Sequence, residues 1–453
     1  MSVRTPALAA VVVALIATTA AAQDGSVSRI SLDDAITAAL RDNRELRASA
    51  DQRRAVEDEV DVARAAMIPR LDALENFSYT DSPVQVFSNL LAQQEFTASN
   101  FAINSLNHPA FLSNFQSQAR LSFPLFAGGR LLAGLRDAGL AAHAERWQSI
   151  RTRQQVEFAV IQSFFSALIA EQQVAVIKRA SDAARAHLGQ AQNLFANGMV
   201  VKSDVLRTNV LVGTIEQQRI EAESRVAISR AQLAHVLGEE DRRIAPLDNK
   251  AATASIPQAS SLDAMTKNAM AARPEIKVID DGVGRAREAV AMARADYLPT
   301  VEIAGVYEND SQTLARAGQS GALMISGRLN LFNGMATRAK FDAAQADLSR
   351  TKALAEDLRH AIALEVETAY RRLAAAQQSL EVAERDAVYA ADSLKTLEDR
   401  YGAGLATNIA VLDAQTTREE TEMRLVAARA EVNIDRAALN LAVGIEPQSA
   451  MER

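Results

Sequence analysis

The chain has 453 residues, a formal net charge of −7 and no cysteine. An acidic balance argues against a nucleic-acid partner. The missing thiol excludes disulfides, thiolate metal sites, a cysteine nucleophile and a lipid anchor on an N-terminal cysteine.

Residues 1–22 read as an export signal. Arg4 gives the positive start, Ala7 to Ala17 the apolar core, and Ala20-Ala21-Ala22 the small-residue cleavage site, so the mature chain is expected to begin at Gln23. The alternative, an uncleaved anchor, needs about 20 apolar residues.

Beyond the signal the same order of elements is predicted twice. The first pass is a helix of about 35 residues ending at Pro69, strands near 70–80 and 115–126, a helix of about 67 residues from Gly129 to Asn197-Gly198, and one of about 36 ending at Leu237-Gly238. The second pass ends its first helix at Pro299, places strands near 299–309 and 322–331, and repeats the long helix from Gly334 to Ala403-Gly404 and the last to Val443-Gly444. ARAAMIP (63–69) matches ARADYLP (293–299) at an offset of 230. LFANGMVVKSDVL (194–206) matches RYGAGLATNIAVL (400–412) at an offset of 206. The two offsets differ by 24 residues, and this excess falls between Pro69 and Pro124, in a first outer loop at 81–114. The expected organisation is therefore two repeats, 23–250 and 251–453. Glycines after the helices suit left-handed caps. Ser203 with Asp204, and Thr407 with Asn408, are the expected N-caps of the last helices.

No proline lies between Pro124 and Pro246 or between Pro299 and Pro447. A helix of that reach is roughly 100 Å long, far beyond a globular domain and suited to a rod or tube across an aqueous compartment. Val156, Val160, Phe164 and Leu168 in one long helix, and Leu354, Leu358, Ile362, Val366, Tyr370 and Leu373 in the other, recur at the spacing of a packing seam.

Phe115, Ser117, Ala119, Leu121, Phe123 and Leu125 alternate with mostly polar residues, and Val301, Ile303, Gly305 and Tyr307 share one face. A soluble hairpin on the helices would look similar. In an exported chain with no helix of 18 uninterrupted apolar residues, a barrel is the remaining way across a bilayer. Four strands cannot close one, since about eight are needed, so the chain must oligomerise. An eight-stranded dimer and a twelve-stranded trimer both satisfy this. The outer loop, with Phe87, Phe96, Phe101 and Phe111, has three readings: a plug, a cell-surface contact, or no specific role.

His108, His143, His187, His235 and His360 form no HExxH or ligand-spaced pair, and Gly128-Gly129 is a turn without the phosphate-loop pattern. No enzymatic activity and no cofactor are expected. A periplasmic coiled-coil adaptor or scaffold is the rival from another class. It shares the signal and helices but has no need of two strand pairs with a long outer loop.

PLFAGGR (124–130), LFNG (331–334), the Gly198–Leu206 block and VLDAQTT (411–417), in duplicated order after a signal peptide, resemble the TolC-like outer-membrane efflux proteins over essentially the whole mature chain. FSNLLAQQEF…LNHP (87–109) is similar to a subgroup with an enlarged outer loop. The resemblance implies a mainly α fold with membrane β: a homotrimer in which a 12-stranded β-barrel in the outer membrane, four strands per protomer, continues as a long α-helical barrel through the periplasm. It implies a passive exit duct that docks on a periplasmic adaptor and an inner-membrane transporter of the RND, ABC or MFS class. A type I protein-secretion channel shares the pattern. By the same resemblance Asp413 matches a gate aspartate, and Asp204 and Tyr401 match members of a network that holds the periplasmic end closed. Ala410 replaces a second gate aspartate and Ala406 a latch arginine. Gly198, Met199, Gly404 and Leu405 are the expected adaptor-docking tips.

Overall fold

A computed structural model describes residues 29–239, 245–248, 261–314 and 318–448; the expected signal at 1–22 lies outside them. In chain order the elements are α1 (Leu32–Asp42), α2 (Arg44–Ala65), β1 (Arg70–Thr80), α3 (Pro83–Ala92), a 3₁₀ turn (Ala98–Phe101), α4 (Ile103–Asn107) and β2 (Leu112–Ala127), followed by α5 (Arg130–Ala196) and α6 (Lys202–Leu237). The second pass is α7 (Leu262–Ala272), α8 (Pro274–Ala295), β3 (Thr300–Ser311), β4 (Gly318–Arg328), α9 (Ala336–Gly402) and α10 (Asn408–Val443). Corresponding helices have equal lengths: 11, 22, 67 and 36 residues in each pass.

The expected single helix before each strand pair is two helices. At Asn43 the backbone turns extended, and its side chain caps α2 by accepting from the amides of Glu45 (2.8 Å) and Leu46 (3.2 Å). Its Nδ2 also donates to the Val236 carbonyl at 2.7 Å, tying the break to the end of α6. In the second pass Pro274 has no amide to continue the ladder and starts α8, so Arg273 is left extended between the helices. Arg273 reaches the Ala442 carbonyl (3.4 Å), the position equivalent to Val236, and pairs with Glu275 (2.6 Å) and Glu365 (2.5 Å). Burial opposes the charge on both Arg273 and Glu275; their mutual pairing outweighs it, raising the arginine pKa and lowering that of the carboxyl. Different residues thus make the same junction.

Gly238 and Gly444 complete it. Each has a left-handed backbone (φ 80° and 84°) and lies against the opposing helix break. A Cβ on Gly238 would stand 2.5 Å from the Asp42 carbonyl oxygen.

The core follows α5. Val156, Val160, Ile161, Phe164, Phe165 and Leu168 are buried with Ile36 of α1 and Leu233 and Leu237 of α6. Ile362, Val366 and Leu373 of α9 pack equivalently against Leu439 and Val443. The α9 seam is shorter than the sequence suggests, for Leu354 is solvent-exposed. One window of α5 is apolar enough for a membrane span, but half of it is buried within the helical packing.

The sheet is antiparallel in the order β1-β2-β3-β4. Within the described residues β1 and β4 are its open edges, so its row of unpaired backbone groups needs a partner.

Candidate functional site: the membrane sheet and the helix tips

The pleat separates two chemistries. Leu71, Leu121, Gly305 and Leu323 pair across all four strands, and Phe123, Ile303 and Ile325 continue the same face. Leu71 is 71% and Leu323 74% exposed, although a soluble fold would cover such residues. The opposite face carries the rows Asp72–Arg120–Val306–Ala322 and Leu74–Gln118–Glu308–Ser320. There the Gln118 amide donates to Glu308 at 2.7 Å. One apolar and one polar face, strands of 11 to 16 residues and two open edges make a segment of a membrane barrel.

The outer loop is folded onto the polar face. Gln93, at the end of α3, is buried and donates to the Ser113 carbonyl (2.9 Å) and Asn114 Oδ1 (2.8 Å). Asn114 in turn donates to Asp310 Oδ1 at 2.7 Å. Gln94 donates to the Gln319 carbonyl, and Gln312 to the Glu95 carboxylate. Phe87, Phe96 and Phe101 stack edge to face within the loop, giving it an apolar centre of its own.

At the far end, α5–α6 and α9–α10 each turn tightly. Gly198 (φ 72°) and Gly404 (φ 75°) are left-handed. The Met199 amide closes on the Leu194 carbonyl (2.9 Å) and that of Leu405 on Arg400 (2.7 Å), which satisfies the last helical carbonyls and leaves both side chains in solvent. The two tips are adjacent, because Leu194 packs against Leu394, Tyr401 and Val411.

The expected N-caps hold on one side only. Thr407 caps α10, accepting from the Ala410 amide at 3.3 Å. Val201 occupies the α6 cap without a side-chain bond, so Ser203 and Asp204 fall inside the first turn. Asn408 is likewise inside α10, and buried.

Tyr401 is buried, and its hydroxyl has no hydrogen-bond partner among the described residues. Burial, then the Asp204 carboxylate, pushes its pKa up. Asp204 and Tyr401 are therefore brought together, and Ala406 packs on the same cluster. Asp413 is exposed, with no ion-pair partner among the described residues. Sequence reasoning missed three polar residues buried here: His187, Thr208 and Asn408. The only signal was an asparagine beside a threonine, which reads as a cap.

A helical bundle built on 67-residue helices, ending in a membrane sheet at one side and bare hairpin tips at the other, defines a membrane-anchored duct component. The family model for outer membrane efflux proteins matches residues 35–239 and 265–445. The chain belongs to that family, the TolC-like outer-membrane channels. It is 27% identical over 330 residues to protein CyaE of Bordetella pertussis, covering 72% of this chain and 69% of that one. It is 22% identical over 424 residues to the proteases secretion protein PrtF of Dickeya chrysanthemi, covering 90% and 88%. Among solved structures, the outer membrane protein VceC from Vibrio cholerae superposes with a TM-score of 0.74 at 16% identity, over 91% of this chain and 96% of that one. The protein is accordingly an outer-membrane component that extends into the periplasm, an exit duct working with an adaptor and an inner-membrane transporter. Family and fold are those of passive channels rather than enzymes.

Proposed function

We propose that three copies, each built of repeats 23–250 and 251–453, close a twelve-stranded barrel through their β1 and β4 edges and form the outer-membrane duct for cargo handed over by an RND, ABC or MFS transporter. The observation that carries this reading is the four-stranded sheet with one exposed apolar face and two open edges. An eight-stranded dimer leaves an interior that side chains fill. So narrow a mouth has no room for α3, a helix about 10 Å across, whose end is held at the outer end of the polar face by Asn114. Twelve strands leave room for both α3 and a passage. PrtF is named for protease secretion, and protein cargo is the second reading.

The tips at Gly198, Met199, Gly404 and Leu405 are the adaptor-docking surface, since exposed Met199 and Leu405 flank tight bare turns. Asp413, with Asp204 and Tyr401 behind it, forms the periplasmic gate. Three unpaired Asp413 carboxylates near a three-fold axis would attract cations and impede anions. Asp413 lies in the second turn of α10, whose first turn holds no acidic residue, so a role limited to the helix dipole does not account for it. Single-channel recording of Asp413→Ala trimers is expected to show lower cation preference and roughly tenfold weaker block by trivalent cations. Unchanged selectivity and block would remove Asp413 from the gate.

A further inference from the structure

The loop between β1 and β2 carries almost no charge. Glu95 is the one Asp, Glu, Lys or Arg among residues 82–114, in a chain with 23% such residues, and Gln312 donates to its carboxylate. Val84 and Leu91 lie two turns apart on one face of α3 and are 78% and 50% exposed. Phe101 and Ile103, later in the loop, are exposed as well. Apolar side chains left uncovered in an uncharged segment mark a contact surface. The last turn of α3 fixes where that surface sits. Gln93 is held by Asn114, and Asn114 by Asp310, residues that alternate onto the polar face with Gln118 and Glu308. Gly318 of β4 pairs with Asp310, and a Cβ on it would run into the Ala92 carbonyl. Gln94 takes a left-handed backbone (φ 60°), costly for a residue with a side chain, and donates from there to the Gln319 carbonyl at 3.2 Å. The chain therefore leaves β1 at Asp81 and α3 ends against β4. Its ten residues cover about 15 Å, which matches the roughly 14 Å from β1 to β4 across the strands.

We propose that the three 81–114 loops of an assembled channel pack on one another inside the outer mouth, each α3 meeting a second copy of this chain, and form a collar that passes small solutes and excludes polypeptides while docked. The inference rests on the reading of a twelve-stranded trimer. Strands about 4.8 Å apart and tilted about 40° set the backbones of such a barrel roughly 24 Å apart across its axis. Three helices about 10 Å wide, side by side, fill a circle of roughly 22 Å. Little of the mouth is left. Where β4 of one protomer pairs with β1 of the next, the end of one α3 comes beside the start of the next, Leu91 toward Val84. A head-to-tail contact of this kind closes after three copies around a three-fold axis. The missing charge lets the copies meet without repulsion in so small a space. Protein cargo would need α3 to leave the lumen face first.

The chain has no cysteine, so an introduced thiol reports alone. Ala322→Cys puts one on the polar face, four residues below Gly318. Intact cells are treated from outside with a small membrane-impermeant maleimide or with the same group on a polymer of several kilodaltons, and the purified trimers are scored for label. The small reagent is expected to react at 322 and the polymer-linked one to be excluded. Adding Gly318→Ala, which drives the Ala92 carbonyl off the strand, is expected to admit both; should that variant not assemble, Gln93→Ala takes its place. A short bifunctional thiol reagent is expected to join protomers carrying Val84→Cys and Leu91→Cys. Reaction of the polymer-linked reagent at 322 with the loop unaltered overturns the collar. So does its continued exclusion from the undocked variants, or the absence of joined protomers. No reaction of the small reagent at 322, or at Leu323→Cys run alongside, means a mouth sealed outright and overturns the passage of small solutes. Reaction at Leu323→Cys but not at Ala322→Cys means that the faces of the sheet, and with them the barrel reading, fail instead.

Discussion

Gly238→Ala is expected to lower stability by roughly 2–4 kcal/mol, the largest effect of any single methyl addition at the helix junctions. Two costs add. The left-handed backbone at φ 80° disfavours any side chain by about 1–2 kcal/mol. The new Cβ would also stand 2.5 Å from the Asp42 carbonyl oxygen and 2.9 Å from its carbon, both backbone atoms with no rotamer to escape into. Relief requires α1 to move off α6, stretching the bond from Asn43 to the Val236 carbonyl. The same substitution at Gly444 meets its nearest atom, the Arg273 amide, at 3.0 Å and should cost less. Denaturation midpoints of the two variants check this: Gly238→Ala below Gly444→Ala, and both below wild type. Equal midpoints for Gly238→Ala and wild type would show that the junction is not close-packed.

The second large effect concerns the membrane face. Leu323 lies midway along β4 on the apolar side, 74% exposed. Arginine at the bilayer midplane of a barrel costs about 2–4 kcal/mol, so Leu323→Arg is expected to reduce insertion sharply, with little heat-resistant oligomer in the outer-membrane fraction. Ala322 is its neighbour on the opposite face, in the row with Arg120 and Asp72. Ala322→Arg is expected to insert normally, because its side chain meets the aqueous interior. Reversed outcomes would mean that the two faces are assigned the wrong way round.

Much of this was legible in the residues. The duplication and the helix lengths follow from spacing, because a 3.6-residue seam uninterrupted by proline leaves one solution over such lengths. The strands are legible from alternation, but β2 extends out to Leu112, where it pairs with Thr80, and β4 is Gly318–Arg328 instead of 322–331, because its outer residues pair with Asn309 and Asp310. The breaks at Asn43 and Arg273 are not legible in a helical pattern that runs through both, although Pro274 announces one of them. Local propensity allows a helix through Asn43, and its cap on the Glu45 and Leu46 amides together with its tertiary bond to Val236 turns the chain there. The tip was half legible. The glycine turns and the exposure of Met199 and Leu405 follow from sequence, whereas His187 and Asn408, far apart in the chain, meet only through packing. Likewise nothing in residues 81–114 indicates that Gln93 will be buried on Asn114.

The chain is a duct component with one end in the outer membrane and the other in the periplasm. A photo-crosslinker placed at Met199 or Leu405 in cells, with a third at Leu323, tests this most directly. The tip positions are expected to capture a periplasmic adaptor while position 323 captures none. Adaptor capture from Leu323, or its absence from both tips in assembled trimers, would contradict that arrangement.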